Sequence, residues 1–160
     1  MKKLLCLMMA LLLLLSLAAC GGEEPPVKEA YSLRYKGQTI KIDDAMSLHQ
    51  GALGASAQYQ EMPTCGKGDL DKLYDYGSIR LRTYQVNGVD YISVIELMDD
   101  LVQTAEGISI GDAQQKVSEI YGAADRTTAS AWIYERKGMD LEFHFHADNT
   151  VKSIVYRGEN

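Results

Sequence analysis

Two histidines and a glutamate have the residue types and the spacing best suited to binding a metal ion. Glu142, His144 and His146 are separated by one residue each, and a β-strand places side chains of this period on one face. Imidazole and carboxylate groups bind zinc at about 2.0–2.2 Å. A complete site needs a third or fourth ligand with supporting hydrogen bonds. The pattern leaves open a metal site or a polar strand face in solvent, and we assign no metal ligand.

A second segment with the same period carries cations. Arg80, Arg82 and Tyr84 alternate with Ile79, Leu81 and Thr83, which is typical of a strand with one buried face and one solvent face. We expect the outward side chains of the two strands to form a binding surface. Its predicted members are Arg80, Arg82, Tyr84, Glu142, His144 and His146.

The sequence lacks the common motifs that mark enzyme active sites. The sequence has no Gly-x-Ser-x-Gly elbow, no phosphate-binding glycine loop and no His-Glu-x-x-His motif. Cys65 is the one candidate nucleophile, and no histidine stands near it in sequence to activate it. We therefore predict no enzymatic activity, no catalytic residue and no cofactor, with Cys65 either buried and inert, reactive, or paired with another chain.

Cys20 lies in a sequence context that indicates attachment of a lipid. Lys2 and Lys3 precede an apolar run that ends in Leu17-Ala18-Ala19-Cys20, the layout of an export signal followed by a bacterial lipobox. We predict that residues 1–19 are a cleaved signal peptide, that Cys20 is lipidated, and that residues 20–30 form a flexible spacer. A diacyl anchor holds a protein on a membrane without a spanning helix. The predicted location is the extracytoplasmic face of the cell membrane.

Charge narrows the range of partners. The formal net charge is −6 at pH 7, and loss of Lys2 and Lys3 with the signal would make it more negative still. Binding to nucleic acid requires a basic surface patch, and electrostatic binding to anionic lipid requires clustered lysine and arginine residues. We therefore expect no nucleic-acid partner, and a membrane contact made through the lipid anchor alone.

The body of the chain contains an internal similarity. Residues 40–45 and 108–113 read Ile-Lys-Ile-Asp-Asp-Ala and Ile-Ser-Ile-Gly-Asp-Ala. Each stretch predicts a short strand and then a helix, which Asp44 or Asp112 would cap. Gly54 and Gly122 would end these helices.

Alternating strands follow each predicted helix, and Asn87-Gly88 and Asp148-Asn149 stand where hairpin turns are needed. An earlier strand pair is predicted around Lys36-Gly37. These elements predict an α+β fold of two tandem helix-plus-antiparallel-sheet repeats, with the helices packed on one sheet face. The repeats would span residues 31–100 and 101–160.

The residues that carry the repeat also resemble known proteins. The segment 108–112, followed by Val117 and Tyr121-Gly122, resembles the opening motif of β-lactamase-inhibitor-protein-like proteins and of small outer-membrane assembly lipoproteins. Segments 64–65, 74–76 and 104–108 resemble uncharacterised clostridial lipoproteins. The resemblance covers roughly residues 38–157 and implies a tandem repeat that binds its target across a concave sheet. It transfers no contact residue, and fold analogy alone does not give function.

The sequence as a whole favours a membrane-anchored extracytoplasmic binding or scaffold module. Its expected partner is another envelope or extracellular protein, bound through the exposed sheet face. The alternative is a metal-binding envelope lipoprotein that uses His144 and His146. An enzyme using Cys65 and a small-molecule receptor are weaker hypotheses, the latter because two-lobed solute receptors are much larger.

Overall fold

The structure is a computed structural model that describes residues 29–64 and 66–159. Within them the chain forms ten strands and two short helices. The strands are β1 (Leu33–Tyr35), β2 (Gln38–Ile40), β3 (Gln58–Pro63), β4 (Leu70–Asp75), β5 (Ile79–Val86), β6 (Val89–Leu97), β7 (Arg126–Thr127), β8 (Ala131–Arg136), β9 (Met139–Phe145) and β10 (Val151–Gly158). The helices are α1 (Ser47–Leu53) and α2 (Gln114–Tyr121).

The strands form one hairpin and one large antiparallel sheet. β1 pairs with β2, and the other eight strands follow the order β3-β4-β5-β6-β10-β9-β8-β7. The centre of the sheet is the pairing of β6 with β10, in which Leu97 faces Ile154 and Val94 faces Arg157. This pairing joins strands β3 to β6 and strands β7 to β10 into a single sheet.

The predicted fold class, two tandem helix-plus-sheet repeats with a helical layer over one face, is wrong, because the fold is mostly β. The helices have only seven and eight residues, and they end at Gly54 and Gly122, whose φ angles of 79° and 81° favour glycine. The chain that follows α1 is extended and supplies β3 and β4 instead of more helix. All the longer strands belong to one continuous sheet.

The two aspartates expected to cap the helices close turns instead. Asp44 accepts a hydrogen bond from the backbone N–H of Lys41 at 2.9 Å, and Asp112 accepts one from that of Ser109 at 2.7 Å. Neither helix has a side-chain cap. The capping prediction is wrong because each helix begins two or three residues after its aspartate.

The core lies between one face of the large sheet, here the inner face, and the helices with the β1–β2 hairpin. Leu53, Val117 and Tyr121 are the buried apolar residues of the helices, and the ring of Tyr121 packs 5.1 Å from that of Phe143 on β9. Burying a large apolar side chain contributes about 1.5–3 kcal/mol. In the described ranges, neither helix is long and apolar enough to cross a membrane.

Turn residues fix the hairpins of the sheet. Asn87 and Gly88 both have positive φ, 52° and 78°, as a two-residue hairpin turn requires, which confirms the prediction for the β5–β6 turn. The β1–β2 hairpin around Lys36-Gly37 is also confirmed. Lys137 and Gly138, which are not among the predicted turns, make a matching turn between β8 and β9.

Candidate functional site

The side of the large sheet opposite the core carries ordered charges. Because residues paired across strands share a face, the register defines two rows there. We call these eight residues the outer face: Arg80, Glu96, Val155 and Glu142 in one row, and Arg82, Val94, Arg157 and Asp140 in the other.

Arg80 is held between two carboxylates. Its guanidinium lies 3.1 Å from Asp75 and 3.4 Å from Glu96. The pKa of the Asp75 carboxyl is lowered, first by the hydrogen bond from the Gly77 N–H and then by Arg80, against the opposing effect of burial. Arg80 therefore has a fixed position on the outer face.

Glu142 is the centre of a second polar cluster. Its carboxylate accepts hydrogen bonds from Arg157 Nε at 2.8 Å and from His144 Nε2 at 3.0 Å. Burial opposes ionisation of Glu142, but the hydrogen bonds and charges of Arg157 and His144 outweigh it and hold the pKa of Glu142 below its ordinary value. The carboxylate is ionised at neutral pH and holds the Arg157 guanidinium and the His144 ring in place.

The structure places five of the six predicted binding residues on the outer side of the sheet, in two separate groups. Arg80, Arg82 and Tyr84 lie on β5, and Glu142 and His144 lie on β9. Because β6 and β10 lie between them, the groups are about 14 Å apart at a strand spacing of roughly 4.8 Å. His146 follows the end of β9 and lies outside both groups.

Tyr84 differs from the expectation of an exposed side chain, since it is buried. Its ring stacks on Tyr91 at 5.7 Å and lies under the ammonium group of Lys67 at 4.5 Å. Lys67 Nζ also donates to the Tyr84 hydroxyl at 3.0 Å, and that hydroxyl donates to Asp43 at 2.8 Å. Tyr84 therefore supports the surface from beneath.

A cleft of about 330 Å³ opens between the β3–β4 loop and the outer face. Three cations of this cleft, the cationic cleft hereafter, come from separate segments: Lys67 from the loop, Arg82 from β5 and Arg157 from β10. Its other polar lining includes Asp71, Thr64 and Ser93. In the described ranges, no carboxylate lies within ion-pair distance of Arg82.

Sequence reasoning missed Lys67 and Arg157. The alternation of β10 is a signal that points to Arg157, because Arg157 lies two residues after Val155 and so on the same face of the strand, opposite to Tyr156. Lys67 gave no signal, since its position depends on how a loop folds. Gly68, with φ of +92°, approaches β5 so closely that a Cβ atom would lie 2.3 Å from the Gln85 carbonyl oxygen.

The structure gives the metal hypothesis no ligand set in the part of the chain it describes. No group of three or more His, Cys, Asp or Glu side chains there could hold a metal ion. His144 Nε2 is engaged by Glu142, and His146 is exposed beyond the strand. Cys20, the predicted lipidation site, and Cys65, the candidate nucleophile, lie outside the described residues.

Comparison with known proteins gives one structural likeness. No protein-family model matches the chain, and no curated protein matches it significantly. The chain is similar to the crystal structure of a DUF4309 family protein (YjgB) from Bacillus subtilis strain 168, with 16% identity. The match covers 80% of this chain and 88% of that one, with a TM-score of 0.48. None of these comparisons supports the resemblance to β-lactamase-inhibitor-like proteins or to lipoproteins.

Proposed function

We propose that this chain is a lipid-anchored extracytoplasmic binding module that engages a protein partner through its outer face. The anchor rests on the sequence of residues 1–20, in which an export signal ends at Cys20. The binding surface rests on the geometry of the sheet. The two parts are independent, and each can be tested without the other.

The observation that carries the proposal is an open sheet face on which two arginines are already held in place by carboxylates. Arg80 is fixed by Asp75 and Glu96, and Arg157 by Glu142. Binding costs about 0.5–1.5 kcal/mol for each flexible side chain that it immobilises. Side chains that are ordered beforehand avoid part of that cost.

The size of the sheet also suits a protein partner. Eight strands at roughly 4.8 Å spacing span about 34 Å, and six residues at roughly 3.4 Å each span about 20 Å. The resulting area of about 700 Å² is close to the roughly 800 Å² that each partner contributes to a standard protein interface.

A charge reversal tests the proposal. Arg82→Glu changes an exposed side chain of the outer face, whereas Arg34→Glu makes the same charge change on β1, away from that face. Membrane and extracellular proteins from the native organism are passed over immobilised full-length protein. We expect a partner that is retained by the unaltered protein and by Arg34→Glu, and is lost with Arg82→Glu. Equal retention by both variants, with melting temperatures unchanged, would refute the use of this face.

A further inference from the structure

We propose that the cationic cleft binds a carboxylate group, presented by an acidic segment of the protein partner. This inference rests on the proposed function and names the chemistry that the outer face recognises. The cleft brings together Lys67, Arg82 and Arg157 from three segments that are distant in sequence. Asp71 is the one carboxylate among its described lining residues.

The cleft has hydrogen-bond donors that the described part of the protein does not use. Arg82 carries five N–H donors and has no carboxylate partner in that part of the chain. Arg157 donates through Nε to Glu142, which leaves its two terminal amino groups. Lys67 donates one of its three N–H groups to the Tyr84 hydroxyl. Planar guanidinium groups suit a carboxylate, because they offer paired parallel donors.

The positions of these donors are supported from below. The hydrogen bond from Tyr84 to Asp43 orients the hydroxyl so that its oxygen accepts from Lys67. Glu142 fixes the guanidinium of Arg157 through Nε, so that its terminal groups are held in a defined direction. Lys67 and Arg157 are therefore held in position before a ligand binds, whereas the side chain of Arg82 can adjust to the ligand.

The charge balance favours a carboxylate over a phosphate. Three cations against Asp71 leave a small positive excess, which Glu142 beside Arg157 and Asp43 behind Tyr84 reduce further. A single negative charge matches that excess, whereas a dianion would face Asp71 and a protein of net charge −6. The partly buried Val94 also lines the cleft, and it offers an apolar contact for the methylene groups of an aspartate or glutamate side chain.

A peptide-binding measurement tests this inference on the full chain purified in detergent. The probe is a rhodamine-labelled peptide with one glutamate between neutral residues and both termini blocked, followed by fluorescence anisotropy at low ionic strength. We expect saturable binding that Arg82→Gln weakens about tenfold, as expected for loss of a hydrogen bond to a charged group. The matched control Arg34→Gln, on the solvent side of β1, should leave the affinity unchanged, and the same peptide with glutamine in place of its glutamate should not bind.

Acetate and inorganic phosphate serve as competitors that distinguish the two anions. Displacement of the peptide by acetate at concentrations no higher than those of phosphate would support a carboxylate site. Displacement by phosphate at much lower concentrations would overturn the assignment, as would equal effects of Arg82→Gln and Arg34→Gln. If the peptide fails to bind while Arg82→Glu still abolishes partner retention, the carboxylate inference fails and the proposed function stands.

Discussion

The hydroxyl of Tyr84 donates a 2.8 Å hydrogen bond to the carboxylate of Asp43, a residue 41 positions earlier in the chain. Asp43 has a positive φ of 65°. Its segment bonds to the first half of β6, next to the part of β6 that pairs with β10. Tyr84 belongs to β5 and carries Lys67 above its ring. One hydrogen bond thus links the beginning of the fold to the cationic cleft.

Tyr84→Phe should destabilise the protein by about 1 kcal/mol, because the hydroxyl of this buried residue donates to Asp43 and accepts from Lys67, and a net intramolecular hydrogen bond contributes about 0.5–1.5 kcal/mol. Urea denaturation measures the change. Tyr35→Phe is the matched control, since the Tyr35 hydroxyl makes no hydrogen bond in the described residues and lies at the edge of the core. Equal stabilities of the two variants would show that the Tyr84–Asp43 contact contributes little.

Gly68→Ala should displace the loop that carries Lys67. Gly68 has φ of +92°, and an added Cβ would lie 2.3 Å from the backbone oxygen of Gln85. We expect a loss of more than about 1 kcal/mol, since both the left-handed backbone and the clash oppose the alanine. Gly66→Ala is the control, because a Cβ there meets nothing within 4 Å. Thermal melting that shifts equally in both variants would contradict this role of Gly68.

Glu142→Gln should lower stability at neutral pH and have a smaller effect in acid. The folded pKa of Glu142 lies below its ordinary value of 4.5, so its ionised form adds stability above that value. The contribution is lost as the pH falls through the lowered folded pKa. We expect a difference of about 1–3 kcal/mol from the unaltered protein at pH 7.

Urea denaturation at pH 7 and pH 3 should therefore give a difference in stability between Glu142→Gln and the unaltered protein that is smaller at the lower pH. Glu29→Gln is the control, because the Glu29 side chain is 86% exposed and surface pairs contribute about 0–1 kcal/mol. A difference of the same size at both pH values would argue against the ionised pair with Arg157.

The strands could be predicted from the sequence, whereas the fold class could not. Alternation identified the buried and outward residues of β5 and β9, such as Leu81 and Phe143 inside against Arg80 and Glu142 outside. The pairing of β6 with β10 is a contact between distant segments, and period-two alternation does not encode which strands become neighbours. The helices cover less of the sheet than the sequence predicts. Their start and stop signals mark where a helix lies and do not determine how much of the sheet it covers.

The candidate site was predictable in part for the same reason. Arg82 follows from alternation along one strand, but Tyr84 shares its parity and is buried, because the loop residue Lys67 covers it. The spacing of β5 from β9 depends on sheet order. The cationic cleft depends on Gly68, whose close contact with Gln85 exists only in the folded chain.

Site-specific photo-crosslinking in living cells tests most directly whether the outer face is the binding surface. A photoreactive amino acid replaces Val94, at the centre of that face, or Glu119, which is exposed on α2 on the opposite side of the sheet. We predict a discrete crosslinked product with another protein from position 94 and none from position 119. Products from position 119 alone, or from neither position in a folded and exported protein, would contradict the account.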